Sequence, residues 1–235
     1  MKGSIDSIES LGLVDGPGIR TVVFMNGCKL RCQYCHNPEM WKMREANYTP
    51  QELYQKIKRF QPYFGKNGGV TFSGGEPLLQ GEFLIEVGKL LKQDHIHIAL
   101  DTAGVGNGNY EEILKYVDLV IFDIKHLSED GYLKLTGQKI NESLKFLNIV
   151  QKMNKPLWIR QVIVPGIHDN LEYIADLKKF IKTLKNVQKV EFLPYHKLGQ
   201  EKYETLHIPY PLSNVPAMDE NKTRELYDYF AQIDK

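Results

Sequence analysis

The three cysteines of this chain, Cys28, Cys32 and Cys35, form a C-x3-C-x2-C run, and no other cysteine accompanies them in 235 residues. An odd number of thiols cannot complete a disulfide framework, and a packed core would not gather them in one short stretch, so the run points to a shared metal centre. Thiolates are soft ligands suited to iron, zinc or copper(I). Spacing alone leaves three readings open: a four-iron cluster, zinc, and thiols without metal. In the first, three protein sulfurs leave one iron without a protein ligand and able to bind a small molecule. In the second, His36 is the nearest fourth ligand. Side chains of neighbours such as Cys35 and His36 rarely converge on one ion, which argues against that set.

Apolar runs of strand type at 21–25, 69–72, 97–100, 118–124, 157–164 and 190–193 alternate with segments of helical periodicity. Such a βα succession predicts parallel strands with crossover helices, closed or partly closed into a barrel. Beyond the cysteine run, Thr49, Pro50 and Glu52 make a helix start with a capping box, and Leu53, Ile57, Phe60 and Phe64 supply one apolar stripe. Ile174, Leu177, Ile181 and Leu184 repeat that spacing, with Lys178, Lys182, Lys185 and Lys189 on another face that reads as solvated. A proline-rich stretch at 209–216 leads to a last helix over 219–233. Residues 1–235 are long enough for one domain that buries about 70 to 75% of its unfolded surface.

Thirty basic against twenty-nine acidic residues leave a net charge of +1, which gives no field for nucleic acid or an anionic membrane. The N-terminal residues carry no apolar stretch of signal-peptide length, and no run of about 18 apolar residues occurs, so a cytoplasmic protein is expected.

Residues 16–37 read Gly16-Pro17-Gly18-Ile19-Arg20, then Phe24, Gly27 and Cys28-x3-Cys32-x2-Cys35-His36-Asn37, with the aromatic Tyr34 just before the last cysteine. This run resembles the motif of the glycyl-radical-enzyme activating enzymes, a branch of the radical S-adenosylmethionine (SAM) superfamily. The resemblance continues through Ser73-Gly74-Gly75-Glu76-Pro77, Asp101-Thr102, Asp123-Ile124-Lys125, Trp158-Ile159-Arg160 and Leu193-Pro194-Tyr195-His196, and so covers nearly the whole chain. It implies an α/β fold, a partial (β/α)6 TIM-like barrel of the radical SAM type, open on one side for a bulky substrate. It also implies a [4Fe-4S] cluster on Cys28, Cys32 and Cys35, and reductive cleavage of SAM to a 5′-deoxyadenosyl radical that takes hydrogen from a glycine of a partner enzyme. The chain lacks the cysteine-rich insert of many such activators, and the resemblance is greatest to those that serve pyruvate formate-lyase under anaerobic conditions. A flavodoxin or ferredoxin would then be the electron donor, and the protein would act as a monomer.

Each motif also has a plainer reading. Ser73-Gly74-Gly75-Glu76 in isolation is a strand-ending turn; the resemblance makes it a contact to the SAM amino group, with Gly75 allowing close backbone approach. Asp123 and Lys125 lie two apart on a strand and share a face, which suits a structural ion pair; by resemblance they and Ile124 contact SAM. Asp101 and Asp123 end adjacent strands ~4.8 Å apart, and two carboxylates at ~4 Å would repel by about 4 kcal/mol at an effective dielectric of 20. Something positive should therefore sit near them. Lys125 is one candidate, and the resemblance suggests a monovalent cation (Na+ or K+) held by Asp101, Thr102 and Asp123. Protonation of one aspartate would relieve the repulsion equally. Tyr34, His36, Arg160 and His196 join the SAM set by resemblance, and Asp15, otherwise a turn residue, would contact the incoming glycine loop. Two rivals stand beside this reading: a radical SAM enzyme acting on a small molecule, and a zinc-binding interaction protein.

Overall fold

The computed structural model describes residues 1–233. One sheet of seven strands runs in chain order, β1 (Ile5–Gly12), β2 (Arg20–Met25), β3 (Gly69–Gly74), β4 (His97–Thr102), β5 (Leu119–Ile124), β6 (Leu157–Ile163) and β7 (Val187–Pro194). Strands β2 to β7 pair in parallel, and β1 pairs antiparallel with β2, from Ile5 opposite Met25 to Gly12 opposite Arg20. The six parallel strands are those expected, and because β1 and β7 do not pair the barrel stays open. The edge strand β1 was not anticipated. Its sequence, IDSIESLG, carries few apolar residues because much of it faces solvent, so it lacks the alternation that marks a half-buried strand.

Helices α1 (Pro50–Lys58), α2 (Gly81–Gln93), α3 (Tyr110–Leu114), α4 (Glu129–Thr136), α5 (Asn141–Lys152), α6 (Leu171–Lys182), α7 (Gln200–Thr205) and α8 (Glu220–Gln232) complete the order. At the start of α1, Thr49 accepts from the Glu52 amide while Glu52 accepts from the Thr49 amide, as the capping box requires. The helix stops at Lys58, four residues before Pro62, and Phe60 and Phe64 continue the apolar stripe from a turn. Phe64 is nevertheless buried. The lysine row on α6 does not hold as one face: Lys178 lies over the Phe230 ring at 4.4 Å, and Lys189 belongs to β7, where it covers Trp158. No helix among the described residues is long and apolar enough to cross a membrane.

Period-two alternation sorts the strand residues into two faces. Val23, Met25, Val70, Phe72, Ile98, Leu100, Val120, Phe122 and Ile159 face outward into the main core under the helices. The opposite parity lines the barrel, where Ala99, Leu119 and Ile121 form a small separate cluster with Trp158. Below that apolar layer lie Arg20 and His97, at the starts of β2 and β4. Above it lie Ser73, Asp101, Asp123 and Arg160, close to the carboxyl ends where the loops of a parallel barrel carry function.

Candidate active site

The cysteines occupy the loop after β2. Gly27 turns the chain at φ +93°, and a Cβ there would come within 2.5 Å of Met43. Beyond it the loop is pinned from both sides: the Arg31 and Gln33 amides donate to the Thr136 and Leu135 carbonyls at 2.7 and 2.9 Å, and the Tyr203 hydroxyl donates to the Cys35 carbonyl at 3.0 Å. Burial pushes the thiols up, Cys28 to about 12 and Cys32 to about 11, with Cys35 shifted the same way. Buried thiols of this kind stay protonated at neutral pH unless a metal supplies the positive charge that a thiolate needs.

The donor set fits a cluster better than a single ion. All three cysteines border one cavity of about 500 Å3. Yet no group of three Cys, His, Asp or Glu among the described residues is placed to hold one metal ion. A multi-iron cluster takes each thiolate on a different iron and so accepts wider spacing. His36 is also engaged elsewhere, donating from Nε2 to the His196 carbonyl at 3.1 Å and stacking on the His196 ring with centroids 3.9 Å apart.

The same cavity is bordered by Tyr34, His36, Gly74, Gly75, Glu76, Asp101, Thr102, Asp123, Lys125, Arg160 and His196. Two aspartates meet two cations across it. Lys125 Nζ donates to Asp123 at 2.8 Å and sits 5.6 Å from the Tyr34 ring centroid. Burial lowers the Lys125 ammonium, but Asp123, Tyr34 and Cys32 together raise it by more and the net shift is upward. Asp101 accepts from Ser73 at 2.8 Å and from Arg160 at 3.4 Å, and its other oxygen, Oδ1, is buried without a partner. Burial raises Asp101 to about 6, opposed by Arg160 and reinforced by Asp123. Arg160 in turn donates to Glu191 at 3.0 Å; burial lowers it, while Asp101, Asp123 and Glu191 raise it further. His196 Nδ1 and the Tyr34 hydroxyl are, like Asp101 Oδ1, buried and unpartnered.

Several expected residues take other positions. Ile124 faces the outer core, so only its main chain can serve the cavity. Both Glu76 oxygens are committed: Oε1 accepts from the Leu78 amide and the Thr102 hydroxyl, and Oε2 from the Ala103 and Val105 amides. Glu76 thereby shapes the loop after β4, and it uses up the Thr102 hydroxyl. A Cβ on Gly75 would lie 2.3 Å from the Gly27 carbonyl, so its bareness serves contact with the cysteine loop. Asp15 is not among the residues bordering the cavity; it lies 3.9 Å from Arg160, whose guanidinium also donates to the Val14 carbonyl.

Residues outside the sequence reading complete the site. Glu191 stands in register with Arg160, a pairing that only the β6–β7 alignment reveals. His168, fully buried after β6, accepts from the Val164 amide at Nδ1 (3.2 Å) and donates from Nε2 to the Lys125 carbonyl at 3.1 Å. Burial lowers it to about 3, so it bridges these loops as a neutral ring.

The Radical SAM superfamily model matches residues 22–181. A pyruvate formate-lyase-activating enzyme of Clostridium pasteurianum is 54% identical over 233 residues, 98% of each chain. One of Staphylococcus epidermidis is 45% identical over 239 residues, 97% of this chain and 95% of that one. Among solved structures, Streptococcus suis SuiB bound to its precursor peptide SuiA aligns with TM-score 0.67 at 17% identity, over 90% of this chain and 46% of that one, a likeness of fold. The chain belongs to the radical SAM superfamily and, within it, to the family of pyruvate formate-lyase-activating enzymes.

Proposed function

We propose that the protein activates pyruvate formate-lyase under anaerobic conditions by abstracting a glycine Cα hydrogen, and that the residues around the cavity divide this work as follows. When bound, a [4Fe-4S] cluster and SAM supply a 5′-deoxyadenosyl radical through one-electron reductive cleavage of the sulfonium. Cys28, Cys32 and Cys35 hold the cluster. Asp123 and Lys125 present opposite charges 2.8 Å apart, which suits a ligand carrying an ammonium, a sulfonium and a carboxylate. His196 Nδ1, Tyr34 Oη and Asp101 Oδ1 offer it polar atoms that the protein leaves unpaired. Asp101 Oδ1 also supports a monovalent cation beside Asp123. Arg160 and Asp15 sit together at the loop from β1 to β2, where the partner's glycine loop would meet them. The electron comes from a flavodoxin or ferredoxin, and the protein works as a monomer.

The convergence of three thiols and the strand-end charges on one cavity carries this reading. Protein reconstituted anaerobically should hold about four irons and four sulfides. Given SAM, reductant and pyruvate formate-lyase deuterated at the target glycine Cα, it should give a glycyl radical doublet in electron paramagnetic resonance and deuterium in 5′-deoxyadenosine. Stoichiometric zinc without sulfide in active protein would overturn the cluster. Deuterium arriving from a labelled metabolite instead would move the protein to the small-molecule enzymes.

A further inference from the structure

The cysteine loop separates two cavities. Cys28, Leu30 and Ala103 border the polar cavity on one side, while Lys29, between the first two, and Val105, two residues past the third, border a wide groove of about 1040 Å3 on the other. Charge on this groove is one-sided. Its lining carries Lys29, Lys139 and Lys145 against one carboxylate, Glu142, which accepts from Tyr110 at 2.6 Å and pairs with Lys145 at 3.6 Å, so that Lys29 and Lys139 have no acidic partner in the lining. The Lys29 ammonium is satisfied only by neutral acceptors, the Gly106 carbonyl and Asn107 Oδ1, so its charge is uncompensated there. The cysteine loop is joined to the end of α4 beside this groove, where the Arg31 amide bonds the Thr136 carbonyl and the Gln33 side chain donates to the Lys134 carbonyl, while the Arg31 guanidinium turns back to the Cys28 and Leu30 carbonyls and lies over Trp41. Leu133, 47% exposed, lines the same groove as Lys29, Lys139 and Lys145.

We infer that this groove docks a small acidic one-electron carrier protein, which reduces the cluster through the cysteine loop. The inference rests on the function proposed above, because only a cluster that consumes one electron per turnover needs such a surface. Local charge supplies what the net charge of +1 lacks: a positive cleft steers an acidic partner at long range and sets its orientation. An exposed leucine in a groove lined by lysines suits a protein surface better than an inorganic anion, which would gain nothing from it. In the transfer the carrier loses one electron and the cluster gains it, with no atom exchanged. Entry on this side leaves the polar cavity free for SAM and the partner's glycine loop.

The test uses the full reconstituted protein, flavodoxin as the probe, and the double variant Lys139→Glu/Lys145→Glu, whose side chains are solvent-facing. Flavodoxin affinity and its rate of cluster reduction should fall roughly tenfold or more at low ionic strength, and the gap should narrow as salt is raised. SAM affinity and SAM cleavage driven by dithionite should not change. The milder Lys139→Ala/Lys145→Ala variant should fall between the two. Unaltered flavodoxin binding in the charge-reversed protein would overturn the proposal, as would a selective loss of pyruvate formate-lyase binding. Wild-type protein that cleaves no SAM with dithionite would sink the underlying function, and this inference with it; wild type that does so, beside a variant that binds flavodoxin normally, sinks the docking surface alone.

Discussion

Two polar layers lie inside this barrel, one at each end, and they are finished differently. At the amino ends of the strands, Arg20 is fully buried and donates to the Thr71 hydroxyl at 2.6 Å and to the Pro17 and Val70 carbonyls, with His97 beside it. Gly69, between Arg20 and His97 in register, has no room for a Cβ, which would fall 2.0 Å from the His97 carbonyl. At the carboxyl ends, Asp101, Asp123, Lys125 and Arg160 pair only in part, and Asp101 Oδ1, His196 Nδ1 and Tyr34 Oη are left over. Buried polar groups are costly unless paired, so a layer closed by its own bonds is built for stability, and one with orphaned atoms is built around something else.

That contrast breaks first at Arg20. Truncation to Ala removes a large buried side chain and several hydrogen bonds together, which should cost on the order of 3–5 kcal/mol and lower the melting temperature by roughly 6 to 20 °C. SAM affinity per folded molecule should not change, as isothermal titration below the transition can show. A loss of SAM affinity equal to that of the upper-layer variants would erase the distinction between the layers.

Asp101 probes the other layer through pH. Its folded value, about 6, lies above the ordinary 3.8, so the folded state holds this proton more tightly than the unfolded chain does. The stabilisation from that proton is full below pH about 4 and is lost as pH rises through about 6. At most about 3 kcal/mol is at stake. In ligand-free protein, Asp101→Asn should therefore melt several degrees higher than wild type at pH 8, with the difference vanishing near pH 4. Matching melting curves at both pH values would mean that Arg160 and Ser73 already satisfy the carboxylate.

Much of this layout was legible in the residues, for identifiable reasons. The parallel strands announced themselves because both faces are buried and their apolar runs are continuous, and the α1 start was fixed by local capping chemistry at Thr49 and Glu52. The edge strand β1 hid because it is half solvated. Within the site, the family resemblance pointed to Asp101, Asp123 and Lys125, but not to the partners that tune them. Glu191 meets Arg160 through sheet register across 31 positions, and Glu76 turns inward to bond amides of a loop 27 and 29 positions away. Side-chain direction and long-range pairing decide such roles, and neither is local in sequence.

Within the upper layer, Lys125 and Asp123 should matter for the ligand and not for the cluster. Lys125→Ala or Asp123→Ala should weaken SAM binding by about 1.5 to 3 kcal/mol, the usual worth of a charge-assisted hydrogen bond, while iron and sulfide content stay at wild-type levels. Unchanged affinity in both folded variants would reduce the pair to a structural ion pair.

The smallest effect should come from His168, one shell further out, where the two ring nitrogens can be separated by substitution. Asn places an acceptor near the position of Nδ1 and so keeps the bond from the Val164 amide, but it loses the bond to Lys125. Gln places a donor near Nε2 and keeps the bond to the Lys125 carbonyl, but it leaves the Val164 amide unpaired. Each variant forfeits one buried hydrogen bond and some ring packing, so their losses of stability should be similar. Their effects on ligand binding should differ. If the imidazole holds the main chain of Lys125 so that its ammonium meets Asp123, His168→Asn should weaken SAM binding by about 0.5 to 1.5 kcal/mol, and His168→Gln should leave it close to wild type. Because the ring stays neutral down to about pH 3, the difference should persist unchanged from pH 6 to 8. Equal SAM affinities for the two variants, with melting temperatures lowered alike, would make His168 a core residue with no hold on Lys125, and would draw the boundary of the ligand-facing layer at Lys125 itself.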